Sequence, residues 1–314
     1  MPTRSKPPSR WPRRLLADYD AYHGRSAGAV SIGGRDNDRA AQANVARCAA
    51  CAALSSAGDE ALSFVHEAYA RHSLEAMRTM FAYERDIAAV IGETIRNGAY
   101  APPDWYWPEV RKFCDAYGAL LVRDELPTGF GKMGWLFIHE RFDVRPDITV
   151  IGKALGASVM PVAGIVVAAG LALPAGSNLG YFTHEKNPLS ALVGRTTLEI
   201  IQDENLVLQA RRLGNTGAVR LQELCEQYPF VREVRCEGLM FGIEFGGDDM
   251  DPVQVATIAE QVFRASVEEG VIPIFPSRSS LTLSAPLVIQ ESELEEALGG
   301  FQAAVRRVHQ CWGG

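Results

Sequence analysis

The sequence predicts an α/β fold, with a mostly parallel, doubly wound sheet in a large domain and a smaller α+β domain behind it. Three observations carry this. Two short apolar runs, "ALLV" and "ITVI", each end in charge: the first runs into Asp124 and Glu125, the second into Gly152 and Lys153. Helical and strand patterns alternate through the middle of the chain, as parallel crossovers require. From Pro229 onward the pattern shortens into hairpin-like strands. The predicted organisation is a disordered basic tail over 1–17, a large domain over 18–228 and a small C-terminal domain over 229–314.

At 314 residues the chain is long enough for a large and a smaller domain. It is 47% hydrophobic and 22% charged, ordinary for a soluble globular protein. The net charge of -7 argues against a nucleic-acid partner. No apolar run reaches membrane-spanning length; "PVAGIVVAAGLALPAG" is too short and is broken by glycine. Six cysteines in a chain of this length give no disulfide framework. Cys48 and Cys51 lack the second pair a zinc site needs, and read as small buried residues on an alanine-rich helix. A reducing, cytoplasmic compartment is expected.

Taken in order, the opening "MPTRSKPPSRWPRRLL" is basic and proline-rich, with no apolar core of a secretory signal. "DAYHGRSAGAVSIGG" brings an aromatic-His-Gly step at Tyr22, His23 and Gly24. The stretch "ALSFVHEAYARHSLEAMRTMFAYE" predicts a helix, and "DIAAVIGE" a buried strand ending at Glu93. In "PPDWYWPEVRKFCDAYG", Val110, Phe113, Cys114 and Tyr117 fall on one helical face, and Gly118 stops the helix. The strand to Asp124 follows. Residues 129–134, "GFGKMG", fit the dinucleotide pattern G-x-G-x-x-G, but the aromatic "WLFIHERFDV" behind them offers no helix start. "PVAGIVVA" predicts another strand. "NPLSALVGRTTLEIIQDE" predicts a helix with Leu189, Leu192, Val193, Thr196 and Ile200 on one face. Beyond Pro229 come the hairpin "FVREVRCEG"/"LMFGIEF", a helix capped by Asp251 with Pro252 at its first position, strands "GVIPIF" and "SSLTLSAPLVI", and a closing helix.

In a parallel sheet, ligands collect at the carboxyl ends of the strands. An acid and a lysine at two such ends face one crevice. That arrangement suits pyridoxal 5'-phosphate (PLP): the lysine forms a Schiff base, and the carboxylate keeps the pyridine nitrogen protonated.

"LLVRDELPTGFGKMG", "PDITVIGKALG" and "THEKNPLSA" together resemble class III aminotransferases of PLP fold type I. The resemblance runs from about Tyr22 to the C-terminus and is clearest from Ala88. It implies a Schiff base on Lys153, Asp124 on the pyridine nitrogen, and Tyr22, beside His23, stacked on one ring face with Leu126 on the other. It also implies that Thr183 binds the cofactor phosphate of a partner subunit, so that a homodimer completes the site. The implied activity is amino transfer between an amine or amino acid and an oxo acid, with Lys153 moving the substrate's α-proton. A racemase or lyase would use the same residues.

The chain departs from the family pattern in four places. Thr94 replaces the proline after Glu93, and Pro127 stands where a glutamine is common. Thr282 stands where many members grip a substrate carboxylate with arginine. No match to the N-terminal glycine- and serine-rich phosphate loop precedes Tyr22. The large domain is therefore expected to be incomplete and its hold on the phosphate weakened. A truncated, weakly active or inactive relative is the competing expectation.

Overall fold

A computed structural model describes residues 14–17, 22–24, 26, 29, 32, 66–83, 87–96, 98–171, 187–247, 250–277 and 279–312. Thr183, Cys48, Cys51, most of the basic tail and most of 35–60 lie outside them.

Five strands form the first sheet: β1 (Arg14–Ala17), β2 (Ile87–Glu93), β3 (Leu120–Asp124), β4 (Ile148–Ile151) and β5 (Gly164–Val167). They lie in that order, parallel from β1 to β4, with β5 antiparallel at the edge. Strand β1 corrects the boundary expected for the tail. Leu15, Leu16 and Ala17 are an apolar run, and Leu16 and Ala17 are buried beside β2.

Helices α1 (His66–Tyr83) and α2 (Tyr106–Tyr117) cover one face of this sheet. Ala70, Leu74, Met77 and Phe81 meet Val110, Cys114, Val90 and Leu121 in one core. Val110 and Cys114 are buried as their spacing predicts, and Gly118 ends α2 in the left-handed region at φ 71°. Tyr117 does not join that core. It lies exposed and stacks on Phe81 at 4.8 Å.

Helix α3 (Pro188–Asp203) starts on an Asn187 side-chain cap. Its expected apolar face is not covered by the described chain. Leu189, Leu192 and Ile200 are exposed, whereas Gly194 and Ile201 are buried. Gly194 packs against Leu155, directly behind Lys153.

The second sheet has the order β6 (Val231–Glu237), β7 (Met240–Phe245), β9 (Ser280–Ser284), β8 (Ile274–Ser277), antiparallel throughout. Helices α5 (Pro252–Glu268) and α6 (Glu291–Trp312) pack on it. Asp251 caps α5 in a full capping box with Gln254. Helix α4 (Leu206–Gln227), expected in the large domain, gives Ala210, Leu213, Leu221 and Leu224 to this second core. The small domain therefore begins before residue 229, because the buried stripe of α4 faces the β6/β7 hairpin.

Candidate active site

The parallel strands place their carboxyl ends along one edge. Glu93, Asp124 and Val150 are direct neighbours in adjacent strands, and Lys153 comes just past the end of the Val150 strand. The segment after β1 returns over this edge. There His23 Nδ1 donates to Asp124 Oδ2 at 2.8 Å, with the two side chains only 2% and 3% exposed. Asp124 Oδ1 accepts the Leu126 N–H at 3.1 Å, which fixes the second carboxylate oxygen. His23 Nε2 is buried with no hydrogen-bond partner.

Leu126 reaches across to the lysine strand. A Cβ built on Gly152 would come within 2.6 Å of Leu126 Cδ2, so a side chain there would push Leu126 aside. Lys153 then opens a short 3-10 turn, exposed, with a left-handed φ of 44°. A non-glycine residue held in that region is uncommon and typically sits where function constrains the backbone. Tyr22, His23, Asp124, Leu126 and Lys153 thus gather at one sheet edge.

Residues 123 and 125 point away from Asp124, as strand alternation demands. Glu125 is fully buried and accepts from Thr94 Oγ1 (2.8 Å), Thr128 Oγ1 (2.7 Å), Ile138 N (3.1 Å) and His139 N (2.9 Å), and touches His139 Nδ1 at 3.1 Å. Burial alone would raise its carboxyl. The bonds from His139, Thr128 and Thr94 and the His139 charge outweigh it and hold the group below the usual range. Thr94 also accepts from Arg123 Nε at 3.1 Å, and Arg123 stacks over Trp107 at 3.2 Å. The threonine that replaces the family's proline therefore brings a hydroxyl that joins a buried cation to a buried anion. Sequence reading gave no role to Arg123, Glu125 or His139. Alternation about Asp124 is the signal that could have marked the first two.

Thr282 is not part of the His23–Asp124 cluster. It is buried on β9, paired with Gly242 and facing the 96–100 turn through Gly98. In the same seam Arg235 bonds Gly98 O (3.1 Å), Glu233 (2.5 Å) and Glu244 (3.1 Å), and lies 3.7 Å from the Tyr100 ring centroid. Residues 129–134 form turns, followed by a short 3-10 turn at Ile138–Phe142 and not by an α-helix. They join the domains: Leu239 N donates to Lys132 O, Lys132 Nζ to Ala285 O at 2.5 Å, and Arg211 to Gly134 O. Their glycines serve this close packing, which excludes the dinucleotide reading.

The family model for class-III aminotransferases matches residues 6–305. The chain belongs to the class III aminotransferase family. It is 29% identical, over 94% of its length, to the (R)-1-hydroxy-2-aminoethylphosphonate ammonia-lyase of Vibrio splendidus, and spans 65% of that protein. It is 30% identical, over 71% of its length, to the mitochondrial ornithine aminotransferase of Arabidopsis thaliana, and spans 47% of it. A PLP-bound amine transaminase from an uncultivated Pseudomonas species superposes with a TM-score of 0.81 at 25% identity, covering 94% of this chain and 70% of that one. The fold is accordingly PLP fold type I, and the indicated cofactor is pyridoxal 5'-phosphate. The donor set fits it. A buried carboxylate, held by one imidazole and one amide, suits a protonated ring nitrogen, and a primary amine follows the end of the neighbouring strand.

Proposed function

We propose that the chain is a PLP-dependent aminotransferase that moves an amino group between an amine or amino acid and an oxo acid. One observation carries the reading: the buried His23–Asp124 pair shares a sheet edge with Lys153. The cofactor supplies an electron sink for the pair left when a bond at the substrate's α-carbon breaks. Asp124 accepts from the protonated ring nitrogen and raises its proton affinity. His23 and the Leu126 amide hold the carboxylate in one orientation, and burial removes competing water. Tyr22 and Leu126 would flank the cofactor ring. Lys153 would hold the cofactor through Nζ and, once the substrate amine displaces it and frees the lysine amine, would move the substrate's α-proton as general base. Its exposed place at the strand end leaves the side chain free to reach both positions.

Thr183 belongs to this reading as a phosphate ligand given across a homodimer. The exposed apolar side chains of β5 and α3 support such an assembly. The four described cysteines are free, which fits a reducing cytoplasm. Among the described residues, no helix is long and apolar enough to cross a membrane. Thr282 remains the proposed place where a substrate carboxylate meets a hydroxyl in place of an arginine.

A second reading, ammonia elimination, is favoured by the wider similarity to the lyase, over 94% of this chain against 71% for the ornithine aminotransferase. The test has two arms. PLP titration followed by borohydride and peptide mapping should place the label on Lys153. The rival is Lys132, whose ammonium is pushed down by burial. Label there overturns the assignment. Steady ammonia release from an amino substrate with no oxo acid present would select the lyase.

A further inference from the structure

Glu93 ends β2 and is the direct neighbour of Asp124 across the parallel pair. Its Oε2 accepts the backbone N–H of Tyr22 at 3.2 Å. Two carboxylates therefore stand side by side at the strand ends, with different tasks. Asp124 holds the His23 ring, and Glu93 holds the backbone that carries Tyr22 and His23. We propose that Glu93 is a positioning residue that fastens Tyr22 and His23 to β2. The inference deepens the PLP reading and rests on it for its consequence at the cofactor ring.

The geometry states the problem Glu93 solves. Tyr22 and His23 lie in the segment that follows a strand of four residues, and their placement needs an anchor outside that strand. Adjacent strands lie about 4.8 Å apart. Two full negative charges so placed, in a buried setting, repel strongly. A proton on Glu93 removes the repulsion and still leaves Oε2 free to accept from Tyr22. Among the described residues, the ionisable groups that face Glu93 are Arg96 from the following turn, His23 from the segment after β1, and Asp124 from β3. Burial is the largest influence and pushes the Glu93 carboxyl up. Arg96, the Tyr22 N–H and His23 pull it down, Asp124 pushes it up again, and the balance lies above the ordinary range. When the proton leaves, a second negative charge appears beside Asp124.

The test uses the full 314-residue chain without added cofactor, labelled with nitrogen-15 and followed by NMR. Glu93→Gln keeps an acceptor oxygen for Tyr22 but carries no charge, so exchange of the Tyr22 amide should stay as it is in the unaltered chain. Glu93→Ala should speed that exchange roughly tenfold or more. Exchange as fast in Glu93→Gln as in Glu93→Ala would overturn the role of the side-chain oxygen as acceptor. Unchanged Tyr22 exchange in Glu93→Ala would overturn the anchoring role. Thermal melts identify a variant that has lost its fold, in which case the Glu93→Gln arm still decides. PLP is then titrated into the same samples. The exchange difference without PLP binding would sink the proposed function and leave the role of Glu93 standing, and binding without that difference would do the reverse.

Discussion

At the residue scale the site is a set of acceptors matched to donors, and its weak points are those whose loss strands a partner. Asp124→Asn keeps the shape but gives up the charge that holds a protonated ring nitrogen. Charge-assisted hydrogen bonds contribute about 1.5–3 kcal/mol, so PLP affinity should fall by roughly ten- to a hundredfold, read by absorbance titration. Glu125 is the structural counterpart. Glu125→Leu would leave the Thr94 and Thr128 hydroxyls and the Ile138 and His139 amides facing an apolar side chain. Each buried unsatisfied group costs about 1–3 kcal/mol, so denaturant melts should show a loss of about 3 kcal/mol or more. The folded pKa of Glu125 is lowered, so the stability it contributes is present above the unfolded carboxylate value and is lost as pH falls through the folded one. The stability gap between the unaltered chain and Glu125→Gln should therefore narrow on acidification below about pH 4.5. A gap that widens there would show that Glu125 is not the charged hub. Sequence reading singled out Asp124 and Lys153 because each ends a strand-like run in charge. It named Glu93 and Glu125 at strand ends but gave neither a role, because a glutamate there looks solvated until the fold shows what covers it.

At the element scale the chain was most readable where one local signal decides the structure. Gly118 ends α2, and Asp251 with Pro252 starts α5, because caps and φ preferences act within a few residues. Position along the chain did not decide which core an element joins. Helix α4 lies on the large-domain side of Pro229, yet its stripe packs against β6 and β7. The seam between the sheets turns on two glycines. A Cβ on Gly242 would come within 1.9 Å of the Gly98 carbonyl oxygen, and one on Gly238 within 2.5 Å of the Lys132 carbonyl oxygen. Both contacts are with backbone, so a side chain cannot simply swing away. Gly242→Ala should force the 96–100 turn off the small sheet and disturb the bonds that Arg235 makes to Gly98 and Glu244. The expected outcome is a fall in melting temperature with altered Tyr100 fluorescence. An unchanged melt would mean that the seam yields without cost.

At the scale of the whole molecule, what stands out is apolar surface that the described residues leave uncovered. Ile165 and Val166 on edge strand β5 are 61% and 52% exposed, and Leu189 and Leu192 on α3 are 53% and 57% exposed. The helical spacing of Leu189, Leu192 and Ile200 promised a buried face, and periodicity cannot say whether the burial lies within one chain or between two. A short, apolar edge strand beside an apolar helix face is the kind of surface a partner covers. The same helix starts five residues after Thr183, the residue proposed to act across subunits. A second copy of the chain would account for both the exposed face and the proposed sharing of Thr183. Sedimentation should show a dimer that Leu192→Glu dissociates, because a buried charge without a partner opposes association. Side chains already exposed in the monomer leave its own melting little changed on substitution, so far-UV circular dichroism of the variant should match the parent. PLP affinity should fall together with dimerisation, since each half-site would lose the partner's Thr183. A variant that stays monomeric yet binds PLP as tightly as the parent would show that the phosphate is held within one chain, and the role of Thr183 across subunits would have to be given up.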